Sequence, residues 1–536
     1  MCSILEDEIP LAKERISLDR KCMKCKEEPA ILITRVNDAF CRGCFQVYVT
    51  HKFRAAIGKT KLVRDGEKVL VGISGGPSSC ALLHLIQEGL SQRAHKKLRF
   101  KPGLLFIEEG QVVGQSLEER KVTLTRIHSL LRQSGFPYHL CKLADSLDLE
   151  RVKTLSACQS NHAAVNKMNQ SAMDINTAAV NKMNQSAKDI NTSAGNKMNQ
   201  SAMDMNTCIN PVEGDKGEVE KSGHGENCCD LLEMNREAEK LFAAQLGSIK
   251  SISGKEDFVR ALRHRLLLEF ARQHGYSKVM LGNTGSQLAV RLLTDISTGR
   301  GMQAAMETAF ADRRNTDMMF LRPLRDFSSK EIAMYNNLHR LECVFIPSLT
   351  TMGDVGASIE HLTEAFVTGL QAEYPSTVSN IMRTGEKLDS SSAVDIESHC
   401  ALCQGPLDTD VGMSSALAAL RFSLEISTMG KSNGKRCIKG DNSVNNTNDE
   451  LCSNGVNYDA KVECCGESDG SCRSSTQLSV PDEGLVLQTL CYGCRIVAME
   501  MDDVNSLPEF VMKDVAWRNR RSVMKAEIQD FLLDDR

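Results

Sequence analysis

Val69–Ile73 (VLVGI) runs straight into Ser74-Gly75-Gly76-Pro77-Ser78-Ser79 and on into CALLHLIQEGL, Cys80 to Leu90. A short apolar run rich in β-branched residues and ended by glycine reads as a buried strand, and the apolar spacing after it reads as a helix over Ser79–Leu90. Between them the glycines let backbone amides turn inward, while the hydroxyls and the helix N-terminus add donors for an anion. That arrangement is a phosphate cradle. Outward from it, Gly103–Ile107 (GLLFI), Tyr138–Leu143 (YHLCKL) and Lys278–Leu281 (KVML) read as further strands, with helices over Ser116–Ser134 and Phe258–His274. The alternation predicts an α/β fold, a doubly wound parallel sheet covered on both faces.

The chain is longer than one such fold needs, at 536 residues. Part of the excess is a fifteen-residue unit that occurs three times, as Ala163–Thr177, Ala178–Thr192 and Ser193–Thr207. It is too short and too polar to stack as a solenoid, so it reads as a low-complexity insertion over about 156–230, with order resuming from Leu231 or by Phe258. A second segment, about 430–482, is rich in Ser, Asn, Gly and Asp. Setting both regions aside with their flanks leaves roughly 380 residues, the size of one α/β body with small appended elements. The expected organisation is 1–60 as a four-cysteine ribbon and basic helix, 61–380 as the α/β domain, and 381–536 as a second cysteine element and helix.

Eight of the 21 cysteines fall in four CxxC pairs, a thiolate metal-ligand pattern that points to a reducing compartment. Cys22 and Cys25 are followed at ribbon spacing by Cys41 and Cys44, with β-rich sequence and a turn expected at Asn37-Asp38 between the pairs. A structural, all-cysteine zinc site is expected, with an iron–sulfur cluster as the alternative. Cys400 and Cys403 form a second set with Cys491 and Cys494, with Gly405 and Gly493 expected to permit the tight turns. The long gap between these pairs does not prevent closure, because loop entropy grows slowly with length. Independent structural cysteines are the competing reading of this second set.

No transmembrane segment or signal peptide is expected. Met1–Leu18 carries Glu6, Asp7, Glu8 and Pro10, no uncharged apolar run approaches the ~18 residues that span a bilayer, and Phe531–Arg536 shows no lipidation signal. The reading is a cytoplasmic protein without membrane contact. The formal net charge of -4 does not announce a nucleic-acid binder, yet residues 11–68 hold fourteen Lys or Arg against seven Asp or Glu. Arg93, Lys96, Lys97, Arg99 and Lys101 form a second basic stretch, and Arg518, Arg520, Arg521 and Lys525 a third. Each could track phosphates or be solvated surface.

The order strand, SGG, Ser, helix resembles the PP-loop of ATP pyrophosphatases, a Rossmann-type, HUP-like fold. Ser74, Gly75, Gly76, Ser78 and Ser79 are its remnant here. Ser78 stands where the active enzymes carry Asp. Downstream, in LGNTGSQLAVRL (Leu281–Leu292), Ser286, Gln287 and Val290 replace the acids of the active pattern. Together with the cysteine ribbon, KPGLLFIEEG, VMLGNTGSQLAVRLLTDISTGRG, FLRPLRDFSSKEIAMYNNL, the late CxxC pairs and IQDFLL, these residues make the chain similar to the cytoplasmic tRNA 2-thiolation protein 2 family.

That resemblance implies a subunit of the complex that places sulfur on the wobble uridine of tRNA Lys, Glu and Gln. It implies a heterodimer with an active PP-loop homologue, tRNA 2-thiolation protein 1, and a thiocarboxylated ubiquitin-like sulfur carrier. Loss of the acids argues against ATP binding and for a non-catalytic role. Two other readings stand beside it: an ATP-dependent tRNA sulfurtransferase in its own right, or a zinc-bearing assembly scaffold without RNA contact. Cys343, following LHRLE, resembles the position of a reactive cysteine in the active homologues, and Cys141 is a second candidate. The opposing reading for both is a buried structural thiol.

Overall fold

The structure is a computed structural model that describes residues 20–34, 38–91, 97–152, 232, 235–315, 317–388, 399–407 and 482–528. These belong to one unit made of Met1–Asp408 and Asp482–Arg536, and the second unit, Thr409–Pro481, lies outside the described residues. The fifteen-residue repeats also lie outside them.

A two-stranded antiparallel hairpin, β1 (Leu32–Thr34) and β2 (Asp38–Phe40), leads into the helix Arg42–Thr60. Next come β3 (Lys68–Gly72), β4 (Lys101–Glu108), β5 (Tyr138–Lys142), β6 (Lys278–Leu281), β7 (Ala311–Asp312) and β8 (Met319–Leu321). They form one sheet in the order β5-β4-β3-β6-β8-β7, and every neighbouring pair is parallel except β7 with β8. The chain moves outward from β3 through β4 to β5, then returns to the other side of β3 with β6. The reversal places the loop after β3 at the switch point, where the carboxyl ends of an open parallel sheet leave a crevice.

Alternate residues of β3 face opposite ways, as the two-residue period requires. Val69 and Val71 join a core with Leu82 and Ile86 of the helix Pro77–Leu90 and Ile127 of the helix Leu117–Ser134. Leu70 packs with Val279, Leu266 and Phe270, the last two from the helix Ile252–Gln273. Each such fully buried side chain contributes about 1.5–3 kcal/mol of transfer free energy, so the two-sided sheet is the main stabilising element.

The appended elements share these cores. Phe45, Val49 and Phe53 of the helix Arg42–Thr60 are buried with Leu324 and Phe327. Lys52 Nζ lies 3.0 Å from Glu331, and the Tyr48 hydroxyl donates to the same carboxylate at 2.9 Å. Glu331 also accepts the Ser328 amide at 2.8 Å, closing a capping box on the helix Ser329–His339. At the other end of the chain, Val497 and Ala498 of the helix Tyr492–Glu500 pack with Phe258 and Leu262.

The four strands read from sequence are present, and several boundaries differ. The helix expected from Phe258 begins at Ile252, because the Ser251 hydroxyl caps it by accepting the Gly254 amide at 2.9 Å. Asp38, expected in a turn, pairs with Thr34 in the hairpin. Leu143 leaves β5 and opens a short 3-10 turn, Leu143–Leu147. The strands β7 and β8 were not anticipated.

Candidate functional site

The two cysteine sets are built alike. In the first, Lys21 and Pro29 form an antiparallel bridge, and the chain between them turns tightly as the Lys26 amide donates to the Cys22 carbonyl at 2.8 Å. In the second, His399 bridges Pro406 and the Gln404 amide donates to the Cys400 carbonyl at 2.9 Å. Lys26 and Gln404, each directly after the second cysteine of its pair, occupy the left-handed region at φ 60° and 59°. The remaining pair in each set sits at a helix start: Cys41 caps Arg42–Thr60 with Cys44 in its first turn, and Cys491 caps Tyr492–Glu500 with Cys494 likewise.

All four sulfurs of each set lie within 4.8 Å of one another, so both clusters could hold a metal ion. Cys25 Sγ is 3.9 Å from Cys41 Sγ, and Cys403 Sγ is 3.7 Å from Cys491 Sγ. A tetrahedral ion with sulfur ligands at about 2.3 Å has sulfur–sulfur edges of about 3.8 Å. The first cluster is partly open, with Cys25 and Cys44 half-buried; all four cysteines of the second are buried.

Gly405 and Gly493 serve a different purpose from the expected turns. Neither has a positive φ, and the left-handed residue beside the first is Gln404. They permit close approach instead: a Cβ on Gly405 would run into Gln303 Oε1, and one on Gly493 would lie 2.7 Å from Arg300 Cγ. The Gly405 amide donates to Cys403 Sγ at 3.4 Å, and Arg300 Nη1 donates to Cys494 Sγ at 3.6 Å. Arg300 is buried and also donates through Nε to Asp257 at 3.1 Å, tying the thiolate cluster to the α/β body. Sequence reasoning missed Arg300 and Gln303; the available signal was Gly299-Arg300-Gly301, in which Gly299 adopts φ +75°.

In each cluster the thiols are driven apart in acidity. Burial opposes ionisation of Cys22, but the backbone amides of Cys25, Cys41 and Lys24 bring it below its ordinary value, while burial pushes Cys41 up. Cys403 is lowered by hydrogen bonds from Cys400, Cys491 and Cys494, while Cys491 and Cys494 are raised by their sulfur neighbours.

The cradle keeps its backbone. Gly75 has φ +77°, and a Cβ there would lie 2.6 Å from Ile127 Cδ1. Its hydroxyls are turned inward: Ser74 Oγ donates to Ser79 Oγ at 3.3 Å and Ser79 Oγ to the Gly76 carbonyl at 2.9 Å. Pro77 at the first helical position has no amide to offer. Gly282 brings the second loop against the first, since a Cβ there would be 3.0 Å from the Ser78 carbonyl oxygen.

At the four positions where the resemblance expects carboxylates, the structure has other occupations. Ser78 is half-buried at the helix start, and the Ser286 hydroxyl accepts the Ser329 amide at 3.2 Å. Gln287 closes a capping box by accepting the Thr284 amide at 3.0 Å, and Val290 is core. Arg291, next along, is drawn to Asp295 at 2.7 Å and Glu307 at 3.2 Å.

Cys141 lies fully buried in β5 and Cys343 half-buried behind the cradle, and burial raises both thiols, the opposite of an activated nucleophile. Of the basic stretches, residues 11–19, Arg35, Arg93 and Lys96 lie outside the described residues. Arg20, Lys21, Lys24, Lys26 and Arg42 are exposed around the first cluster, and Lys59 is exposed at the far end of the helix Arg42–Thr60. Arg99 pairs with Asp65 and Arg518 with Asp514, both surface pairs of small worth.

A family model described as "Cytoplasmic tRNA 2-thiolation protein 2" matches residues 358–496. A Danio rerio protein of that name is 37% identical, covering 100% of this chain and 99% of its own. A Homo sapiens protein of that name is 33% identical, covering 100% and 98% respectively. A solved structure described as "U34-tRNA thiolase NcsA from Methanococcus maripaludis with its [4Fe-4S] cluster" covers 76% of this chain and 97% of that one at 14% identity; its TM-score of 0.44 is too low to carry an argument. No helix among the described residues is long and apolar enough to cross a membrane.

Proposed function

The chain belongs to the cytoplasmic tRNA 2-thiolation protein 2 family, and from that premise we propose that it is the non-catalytic subunit of a wobble-uridine 2-thiolation complex. The observation that carries the proposal is a phosphate cradle whose backbone is retained while none of Ser78, Ser286, Gln287 and Val290 is an acid. Thiolation requires the uridine O2 to attack the α-phosphate of ATP, with pyrophosphate leaving. A sulfur nucleophile then adds at C2, and AMP leaves carrying the former O2. The first step needs magnesium held by carboxylates. It therefore belongs to the partner, an active PP-loop homologue of the tRNA 2-thiolation protein 1 type, which also receives sulfur from a thiocarboxylated ubiquitin-like carrier.

This subunit's own contributions are the partner-binding body and a tRNA-facing surface. The exposed Arg20, Lys21, Lys24 and Lys26 around the first cluster suit the phosphates of tRNA Lys, Glu and Gln. The two clusters hold structural zinc. Sulfur–sulfur distances of 3.9 and 3.7 Å fit a single tetrahedral ion, whereas in a four-iron cluster each thiolate binds a different iron and the sulfurs lie farther apart. Bound zinc would supply no reaction chemistry; its four protein ligands would fix the two elements on the body.

The test is equilibrium binding of magnesium–ATP to the purified full chain, with tRNA adenylation followed in parallel. The reading expects neither without the partner. Tight magnesium-dependent ATP binding accompanied by adenylation from this chain alone would overturn it.

A further inference from the structure

Outside both cysteine clusters, a third group of metal-ligating side chains lies behind the cradle helix. We propose that His84, Glu88 and His339 form a binding site for a divalent first-row transition ion, held by two imidazole nitrogens and one carboxylate oxygen. His84 and Glu88 are four residues apart on the helix Pro77–Leu90, hence on one face of it. His339 is the last residue of the helix Ser329–His339 packed against that face. One donor atom from each residue lies within 4.8 Å of the other two. Two histidines and one carboxylate, with further positions open to water, are a donor set that takes zinc, iron(II) or cobalt(II).

Two further observations point to a ligand here. His339 Nε2 is buried and has no hydrogen-bond partner, a situation that costs about 1–3 kcal/mol unless something binds the nitrogen. Tyr335 touches both of the other ligands. Its hydroxyl donates to Glu88 Oε2 at 3.3 Å and lies 2.8 Å from His84 Nδ1; where it accepts that nitrogen's proton, the lone pair is on Nε2, free for a metal. Tyr335 is fully buried and thus fixes both side chains from behind, as outer partners of metal ligands do. Burial also keeps both imidazoles uncharged at neutral pH.

Beside His84 a pocket of about 200 Å³ opens, lined also by Cys80, Gln87, Leu130 and Glu342. His84 lies six residues beyond Ser78, about 9 Å along the helix at 1.5 Å per residue, so this is not the position of a nucleotide's magnesium. The donors join the helices Pro77–Leu90 and Ser329–His339.

The experiment uses the full chain with its cysteine clusters zinc-loaded, titrated with cobalt(II). The expected result is one added equivalent with the weak visible bands of nitrogen and oxygen ligation, and X-ray absorption at the cobalt edge showing no sulfur in its shell. Glu88→Gln and His339→Gln should each lose this equivalent while melting like the parent, and Tyr335→Phe should weaken it about tenfold. Absence of the equivalent in the parent chain overturns the proposal. So does sulfur in the cobalt shell, or binding that persists unchanged in both ligand variants.

Discussion

Replacing Arg300 by methionine, of similar length and without charge, tests whether the second cysteine cluster depends on the α/β body. Arg300 is buried, donates through Nε to Asp257 at 3.1 Å and through Nη1 to Cys494 Sγ at 3.6 Å. Removing one member of a buried ion pair costs about 3–5 kcal/mol. Asp257 keeps Arg260 at 2.7 Å, so the lower end, about 3 kcal/mol, is expected. With about 2.1 cal/mol/K of unfolding entropy per residue over a body of roughly 380 residues, Tm should fall by roughly 4 °C. The lost bond to sulfur is charge-assisted, worth about 1.5–3 kcal/mol, or roughly 10–100-fold in metal affinity. Zinc release to a chromophoric chelator should show two phases, the slower from the fully buried second cluster. In Arg300→Met that phase alone should accelerate 10–100-fold. Asp257→Asn should lower Tm without accelerating it. If Arg300→Met lowers Tm while both release phases keep their parental rates, the guanidinium is not supporting the metal site and the reasoning fails.

Three other outcomes follow from the same structure. Elemental analysis of the full chain should find zinc at both four-cysteine clusters, and Cys22→Ser should lose one ion and expose the hairpin amides of β1 and β2 to hydrogen exchange; iron in place of zinc, or protected amides in the variant, would contradict this. Gly75→Ala forces an L-residue to φ +77° against Ile127, so Tm should drop by an amount equivalent to about 1–2 kcal/mol or more, whereas an unchanged melt would show that the cradle relaxes freely. Glu256 is raised to about 7, first by burial and then by the nearby Glu360 and Asp257. The folded state therefore holds its proton more tightly than the unfolded one, and stability falls as pH rises from the ordinary carboxylate range towards 7. Glu256→Gln should raise Tm at pH 8 and change little at pH 4, and equal effects at the two pH values would refute this assignment.

The parts of the fold legible in the sequence were those encoded by local pattern. VLVGI, GLLFI and KVML are β-rich runs bounded by turn residues, and all became parallel neighbours around β3. The strands β7 and β8 escaped because they are two and three residues long and lie among Asp312, Arg314 and Arg322, charges that read as surface and are instead buried in mutual ion pairs. A residue's type does not say which partner will neutralise it. For the same reason CxxC spacing singled out the cysteines, while Arg300 and Gln303, some hundred or more positions from the sulfurs they approach, became visible only in three dimensions. The roles of Gly405 and Gly493 were misread because close packing and tight turning select the same residue, and only φ separates them. Gln287 marks a replaced acid in the sequence; in the structure it also closes a helix cap that a glutamate could close equally well. The acid's absence is therefore not explained by local folding, which strengthens the case that it was needed only for nucleotide chemistry.

The most direct measurement of the central claim is the 2-thiouridine content of tRNA Lys, Glu or Gln in a reaction reconstituted with magnesium–ATP and a sulfur donor. The account predicts product when this chain and the active PP-loop partner are both present. It predicts none from this chain alone, and none when the partner carries a disabled loop acid. Thiouridine formed by this chain alone, or undiminished when the partner's acid is removed, would contradict it.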